Sequence, residues 1–379
     1  MERLTVTRSP APPRGFGDSE RAYLLPTALL RGESARRALA GGAALPLAGG
    51  PVAFAACEVV VRAPGAARAS WLEVPALKRW RDSLADPAPL DQLLERLCAP
   101  RPPFAAIPLD RPRLMGVVNV TPDSFSDGGR FRDAERAIAR GRALADVGAD
   151  IVDVGGESTR PGAEPIAPEE EQARAVPVVR ALAEAGLTVS IDTRNPATMA
   201  AAAAAGAAII NDVSALAHHP DSAARAAATG CAVVLMHSAG DPRSMQDRPA
   251  YDHVALDVYD ALAARVAAAE AAGIARTRLA VDPGFGFGKT PAHNLRLVDW
   301  LALLHGLGCA LVVGASRKST IARIAGGMAE DAGGRLAGSL ALATAAWDRG
   351  AQILRVHDVA ETAQALALWR ALGNAGSPP

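Results

Sequence analysis

Aromatic side chains are scarce, at 4% of 379 residues, while hydrophobic residues make up 50%. The core must therefore be built from Ala, Val, Leu and Ile, which favours buried parallel strands alternating with helices. Net charge is also missing. Lys+Arg and Asp+Glu stand at 40 each, so no global field draws the chain onto nucleic acid or an anionic membrane, and any anion site must be local. Four cysteines, Cys57, Cys98, Cys231 and Cys309, are scattered without a CxxC pair. That argues against a zinc site or a disulfide framework and makes a reducing cytoplasm the simplest setting. The first residues carry no continuous apolar run of the secretory kind. Residues 38 to 57 are uncharged, but Gly41, Gly42, Pro46, Gly49, Gly50 and Pro51 interrupt them, so turns leading into a strand are expected rather than a membrane span.

The length suits a barrel of roughly 250 residues plus an appendage. Up to about Asp110 the chain has proline-rich stretches and no repeating pattern. A strand at 52 to 61 and one or two helices within 75 to 97 suggest a small α/β extension over 1–108, whose role is not legible. A rhythm then sets in over 109–379: short apolar runs end in polar or glycine-rich turns, and Ala-rich amphipathic helices follow. The runs are 114 to 120, 151 to 154, 188 to 191, 208 to 210, 232 to 236, 279 to 281, 310 to 313 and 352 to 356. Eight strands alternating with helices, and no GxGxxG after the first, point to a closed (β/α)8 TIM barrel. Asp221 and Asp358 are read as helix caps, and Gly148, Gly186, Gly206, Gly230 and Gly273 as helix stops.

In such a barrel the site forms where the loops after the strands converge. Asn119, Asp192, Asn211, Asp282, Lys318, Arg355 and His357 all fall at strand ends, and Arg160 lies in the second loop. Helix caps could explain the acids taken singly, but they do not explain the cations. Lys318, Arg355 and His357 follow strands seven and eight, where barrels often bind phosphate. Arg160 could add a forked donor. Asn119 is a neutral oxygen ligand suited to Mg²⁺ that keeps most of its waters and bridges a pyrophosphate. Buried carboxylates need partners. Asp192 and Asp282, with the amide of Asn211, suggest the donor edge of a 2-aminopyrimidinone ring such as a pterin's. Lys318 could serve the acceptor side of that ring, in competition with its phosphate role.

These residues stand in motifs that resemble the dihydropteroate synthase family. MGVVNVTPDSFSDGG at 115 to 129 looks like its signature, and GGESTRPGA, IDT, IIND, DPGFGFGK, SRKS and RVHD follow in order. The resemblance implies a pterin site of Asp192, Asn211, Met236, Asp282, Gly314 and Lys318, and a pyrophosphate site of Asn119, Arg160, Arg355 and His357 with Mg²⁺ on Asn119. It implies a 4-aminobenzoate pocket of Phe125, Thr159, Pro161, Phe287 and Ser319, where sulfonamides compete. It names Asp192, Asp282, Lys318 and Asp123 as catalytic, Asp123 by ordering the closed site. Its implied reaction joins a pterin pyrophosphate to 4-aminobenzoate, with a homodimer as the default state. One departure is Ser238-Ala239 after strand five, where many members carry a bulkier pair.

No protein nucleophile is expected, since the chain has no GxSxG elbow and no cysteine in these loops. Catalysis would come from stabilising the departing pyrophosphate, in an S_N1-type course. Two rivals stand beside this reading: a folate-dependent methyltransferase, which would not need Arg160, Arg355 and His357, and a non-catalytic binding paralogue. GFGFGKT resembles a phosphate loop but has Pro283 where GxxxxGK[ST] requires glycine. His218, His219 and His253 lie away from the strand ends and read as helix-flanking residues, whereas His237 directly follows strand five.

Overall fold

A computed structural model of the chain describes residues 4–12, 20–120, 130–158, 165–239, 249–326, 331 and 333–374. The extension is built from β1 (Val6–Arg8), β2 (Arg21–Arg31), α1 (Gly32–Ala40), β3 (Leu45–Pro46), β4 (Val52–Ala63), β5 (Ala66–Glu73), α2 (Val74–Asp82) and α3 (Ala88–Cys98). Its sheet runs β1-β5-β4-β2, with β3 also paired to β4. This corrects the expectation of a single strand. Pro26 lies inside β2, where a proline argues against a strand, and β5 reads AARASWLE, rich in helix formers. Tertiary pairing overrides both: β4 is flanked along its length by β2 and β5.

Both faces of that sheet are covered. Tyr23, Leu25, Val60, Ala67 and Ala69 join the main core of the barrel. Phe54, Cys57 and Val59 pack in a second cluster with Leu77 and Trp80 of α2 and Leu90 and Leu97 of α3. Tyr23 meets Tyr259 edge-on at 5.3 Å and donates its hydroxyl to Asp260 at 2.9 Å. Arg62 bonds Asp257 at 2.7 Å.

The barrel follows, with strands β6 (Arg113–Asn119), β7 (Ile151–Gly155), β8 (Val189–Asp192), β9 (Ile209–Asp212), β10 (Ala232–Met236), β11 (Leu279–Asp282), β12 (Ala310–Val313) and β13 (Ile353–Val356). They close in the order β10-β11-β12-β13-β6-β7-β8-β9, every pairing parallel. The helices on its outside are α4 (Arg130–Asp146), α5 (Pro168–Glu184), α6 (Pro196–Ala204), α7 (Ser222–Thr229), α8 (Val254–Ala271), α9 (Pro291–Asp299), α10 (Ser319–Ala325), α11 (Leu336–Asp348) and α12 (Val359–Asn374). Gly230, at φ 75°, ends α7 as expected. Asp221 is the N-cap residue of α7, though its side chain makes no capping hydrogen bond, and Asp358 stands directly before α12 with its carboxylate paired to Arg317.

The barrel interior is layered. Met115, Ile151, Ile209, Val234, Ala280, Val312 and Ile353 form its lower layer, sealed from below by Phe104 and Ile107, which bridge each other just before the first barrel strand. Side chains of a strand alternate between its faces. The residues two further along therefore also point inward, now at the carboxyl ends of the strands. Among them are Asp153, Asn211, Met236, Asp282, Gly314 and Arg355, and Asp192 joins them two residues after Ser190 of β8.

Candidate active site at the open end of the barrel

Arg355 is the centre of the upper layer. Its Nε donates to Asp153 Oδ2 and one terminal nitrogen to Asp192 Oδ2, both at 2.6 Å. Asn211 Nδ2 donates to the same Asp153 oxygen at 3.2 Å. Burial works against the charge of Arg355, but Asp153 and Asp192 outweigh it and hold the guanidinium protonated. Burial pushes the Asp192 carboxyl up from its ordinary value, against the pull of Arg355. Burial also raises Asp282, opposed by the Gly284 N–H, which donates to its Oδ1 at 2.7 Å. Asp153 Oδ1 and Asp192 Oδ1 are buried without a hydrogen-bond partner among the described residues. An unfilled buried acceptor is costly, so these atoms mark where a donor-rich ligand gains most.

Above this layer, the Lys318 ammonium lies 4.0 Å from the centre of the Phe287 ring, a cation–π contact. Phe287 packs with Met236 and Val213. Gly314 faces the same layer: a Cβ there would lie in ordinary contact, 3.7 Å from both the Arg355 side chain and Asp282 Oδ2. His357 Nδ1 is 3.1 Å from Ser316 Oγ. Burial, with Arg355 next, lowers its imidazole to about 3, which favours the neutral ring as long as no anion lies beside it. Ser319, the first residue of α10, is exposed.

The structure therefore brings together Asp192, Asn211, Asp282, Lys318, Arg355, Met236, Gly314 and Phe287. Asn119 stands at the end of β6, with its Oδ1 3.7 Å from where a Gly155 Cβ would be. Asp123, Phe125, Thr159, Arg160 and Pro161 lie outside the described residues. Not every strand-end acid belongs to the site. Asp212 is fully buried and accepts from the backbone and hydroxyl of Ser214 and from Leu216 N–H, which makes it a turn former.

Three features escaped the sequence reading. Asp153 was visible at a strand end but had no role; its place two residues after inward-facing Ile151 is the signal that could have found it. Glu157 and Arg194 form a 3.0 Å ion pair between the loops after β7 and β8. Lys289, noticed only as part of a phosphate-loop lookalike, is buried and faces backbone carbonyls rather than an anion site.

Comparison with known proteins agrees with this geometry. A model of the family described as "Pterin binding enzyme" matches residues 115–357. The dihydropteroate synthase of Neisseria meningitidis serogroup C is 49% identical over 272 residues, covering 70% of this chain and 95% of that protein. A Xanthomonas albilineans dihydropteroate synthase solved with 4-aminobenzoic acid superimposes with a TM-score of 0.66 at 48% identity, covering 71% of this chain and 95% of that one. The same organism's synthase solved with 7,8-dihydropteroate gives 0.64 at 45% identity, covering 72% and 97%. By this agreement of motif, barrel and inward polar layer, the chain belongs to the pterin-binding enzymes and, within them, to the dihydropteroate synthases.

Proposed function

We propose that this transferase condenses 6-hydroxymethyl-7,8-dihydropterin pyrophosphate with 4-aminobenzoate to give 7,8-dihydropteroate and pyrophosphate. The observation that carries the reading is the upper layer of the barrel, where Asp192, Asn211 and Asp282 present acceptors and an amide beside Arg355 and Lys318. A pterin's amino and ring N–H groups satisfy such carboxylates, with the unpartnered Asp192 Oδ1 as the first place to be filled. Lys318 reaches the acceptor side of the ring from above Phe287.

The reaction is a substitution at the pterin methylene carbon: the bond to pyrophosphate oxygen breaks, and the bond to the arylamine nitrogen forms with loss of a proton. In an S_N1-like course the Asp192 carboxylate stabilises the cationic carbon, while Arg355 and His357 donate to the departing oxygens. Among the described residues no cluster of three or more His, Cys, Asp or Glu could hold a metal. Asn119 offers one neutral oxygen, which fits an ion held mainly by water and pyrophosphate. Mg²⁺ bound there would neutralise the leaving group. Among the described residues no helix is long and apolar enough to cross a membrane. A homodimer belongs to the same reading, supported by the exposed Leu295 on α9 and Ile324 on neighbouring α10.

The test is pyrophosphate release from the pterin pyrophosphate by the purified chain, with and without 4-aminobenzoate. Release coupled to formation of dihydropteroate is expected when both substrates are present; silence with both present would remove the reading.

A further inference from the structure

Lys289 is 1% exposed, and a buried ammonium persists only where acceptors surround it. Its Nζ lies 2.9 Å from the Phe287 carbonyl oxygen, 3.0 Å from that of Gly284, 3.3 Å from that of His237 and 3.0 Å from His237 Nδ1. These acceptors come from two loops. His237 follows β10, while Gly284 and Phe287 follow β11. The loops touch through backbone as well: His237 N–H donates to Asp282 O at 2.9 Å, and a Cβ on Gly284 would fall 1.8 Å from His237 O. Carbonyl oxygens that converge on one point repel unless a donor gathers them. One lysine, when protonated, supplies three N–H groups to that point; burial lowers its ammonium to about 7, with Asp282 opposing.

What the knot holds is the floor under the ligand. Gly284 donates its N–H to Asp282, and Phe287 carries the ring on which the Lys318 ammonium rests. We propose that Lys289 is a positioning residue: by gathering the carbonyls of His237, Gly284 and Phe287, it fixes the Phe287 ring and, through it, the Lys318 ammonium for pterin. This rests on the function proposed above. Lys289 touches no reacting atom in this account. It acts through Phe287.

A double-mutant cycle tests the chain of contacts, because residues acting through one another give non-additive effects. Lys289→Met, Phe287→Ala and the double variant are compared by kcat/KM for the pterin pyrophosphate, with circular dichroism to score folding. The expected result is a fall of about tenfold or more for Lys289→Met, with the double variant at least threefold better than the product of the two single effects. Additivity within threefold, or a Lys289→Met enzyme within threefold of wild type, overturns the proposal. If Lys289→Met does not fold, Lys289→Gln carries the same cycle; failure of both to fold assigns Lys289 to the fold alone and also overturns it. The cycle is repeated on the Kd of 6-hydroxymethylpterin by calorimetry. Absence of turnover in the wild type would then count against the functional reading alone, while the binding cycle still decides the role of Lys289.

Discussion

At Arg355 two buried carboxylates meet one guanidinium, so removing the arginine does two things at once. It takes a donor from the proposed pyrophosphate site, and it leaves Asp153 and Asp192 uncompensated in the barrel interior. Breaking a buried ion pair from one side costs about 3–5 kcal/mol. Arg355→Met is therefore expected to lose about that much stability in urea unfolding as well as affinity for the pterin pyrophosphate; a variant as stable as wild type would contradict the ion-pair account. Lys318→Ala should behave differently. Its half-buried ammonium rests on a ring face rather than between two buried acids, so turnover should nearly vanish while the barrel stays folded, as should that of Asp282→Ala. Full activity in either purified variant would dismantle the proposed pterin site. The charged pairs that separate these outcomes join positions 202 and 163 residues apart, which is why the strand-end residues were legible in the sequence and their partners were not.

Among the elements, the eight barrel strands were legible to within about two residues because each is a short apolar run stopped by the polar residue it delivers. The rule that makes them readable is also the rule that builds the site: Ile151 and Asp153, Ile209 and Asn211, Ala280 and Asp282, Ile353 and Arg355 are each two apart and share the inner face. The extension offered no such rhythm, and only β4, rich in Val and Ala, and the two helices α2 and α3 could be read in advance. Loop contacts were hidden for another reason, since they depend on backbone atoms that the sequence does not spell out. Gly284 and Gly230 show the difference. Both have positive φ, 67° and 75°, where a side chain costs roughly 1–2 kcal/mol. A Cβ at Gly230 meets nothing within 4 Å, whereas at Gly284 it meets His237 O at 1.8 Å. Gly230→Ala should therefore lose only stability, while Gly284→Ala should also lose most of its turnover by parting the loops after β10 and β11. Equal kinetics in the two variants would refute that contact.

On the scale of the whole molecule, extension and barrel share one core. Tyr23, Leu25, Val60, Ala67 and Ala69 are buried in the same cluster as Tyr259, Leu262 and Leu304, so a chain starting at Leu109 should be insoluble or melt well below the full-length protein. A truncated barrel with the full-length melting temperature would show the extension to be dispensable. The seam between the two parts also contains a titratable group. His305 is fully buried, with Nε2 3.1 Å from Arg349 O, and its own carbonyl accepts from Arg101 at 2.9 Å. Burial, reinforced by Arg101, lowers its imidazole from 6.5 to about 3. Between those values the unfolded chain holds a proton there that the folded chain does not, so stability is full above about pH 6.5 and drains away as the pH falls towards 3. The slope reaches about 1.4 kcal/mol per pH unit for one proton. Other groups titrate in the same range, including the raised carboxyls of Asp192, Asp282 and Glu171, whose effect has the opposite sign. The informative quantity is thus a difference: His305→Gln removes this one titration while keeping a side-chain donor for Arg349 O. Its stability should decline less steeply on acidification than that of wild type, so the gap between the two unfolding free energies should narrow as the pH falls from 6.5 to 3. Parallel pH profiles would mean that the folded imidazole takes up its proton as readily as the unfolded one, and would overturn the lowered value.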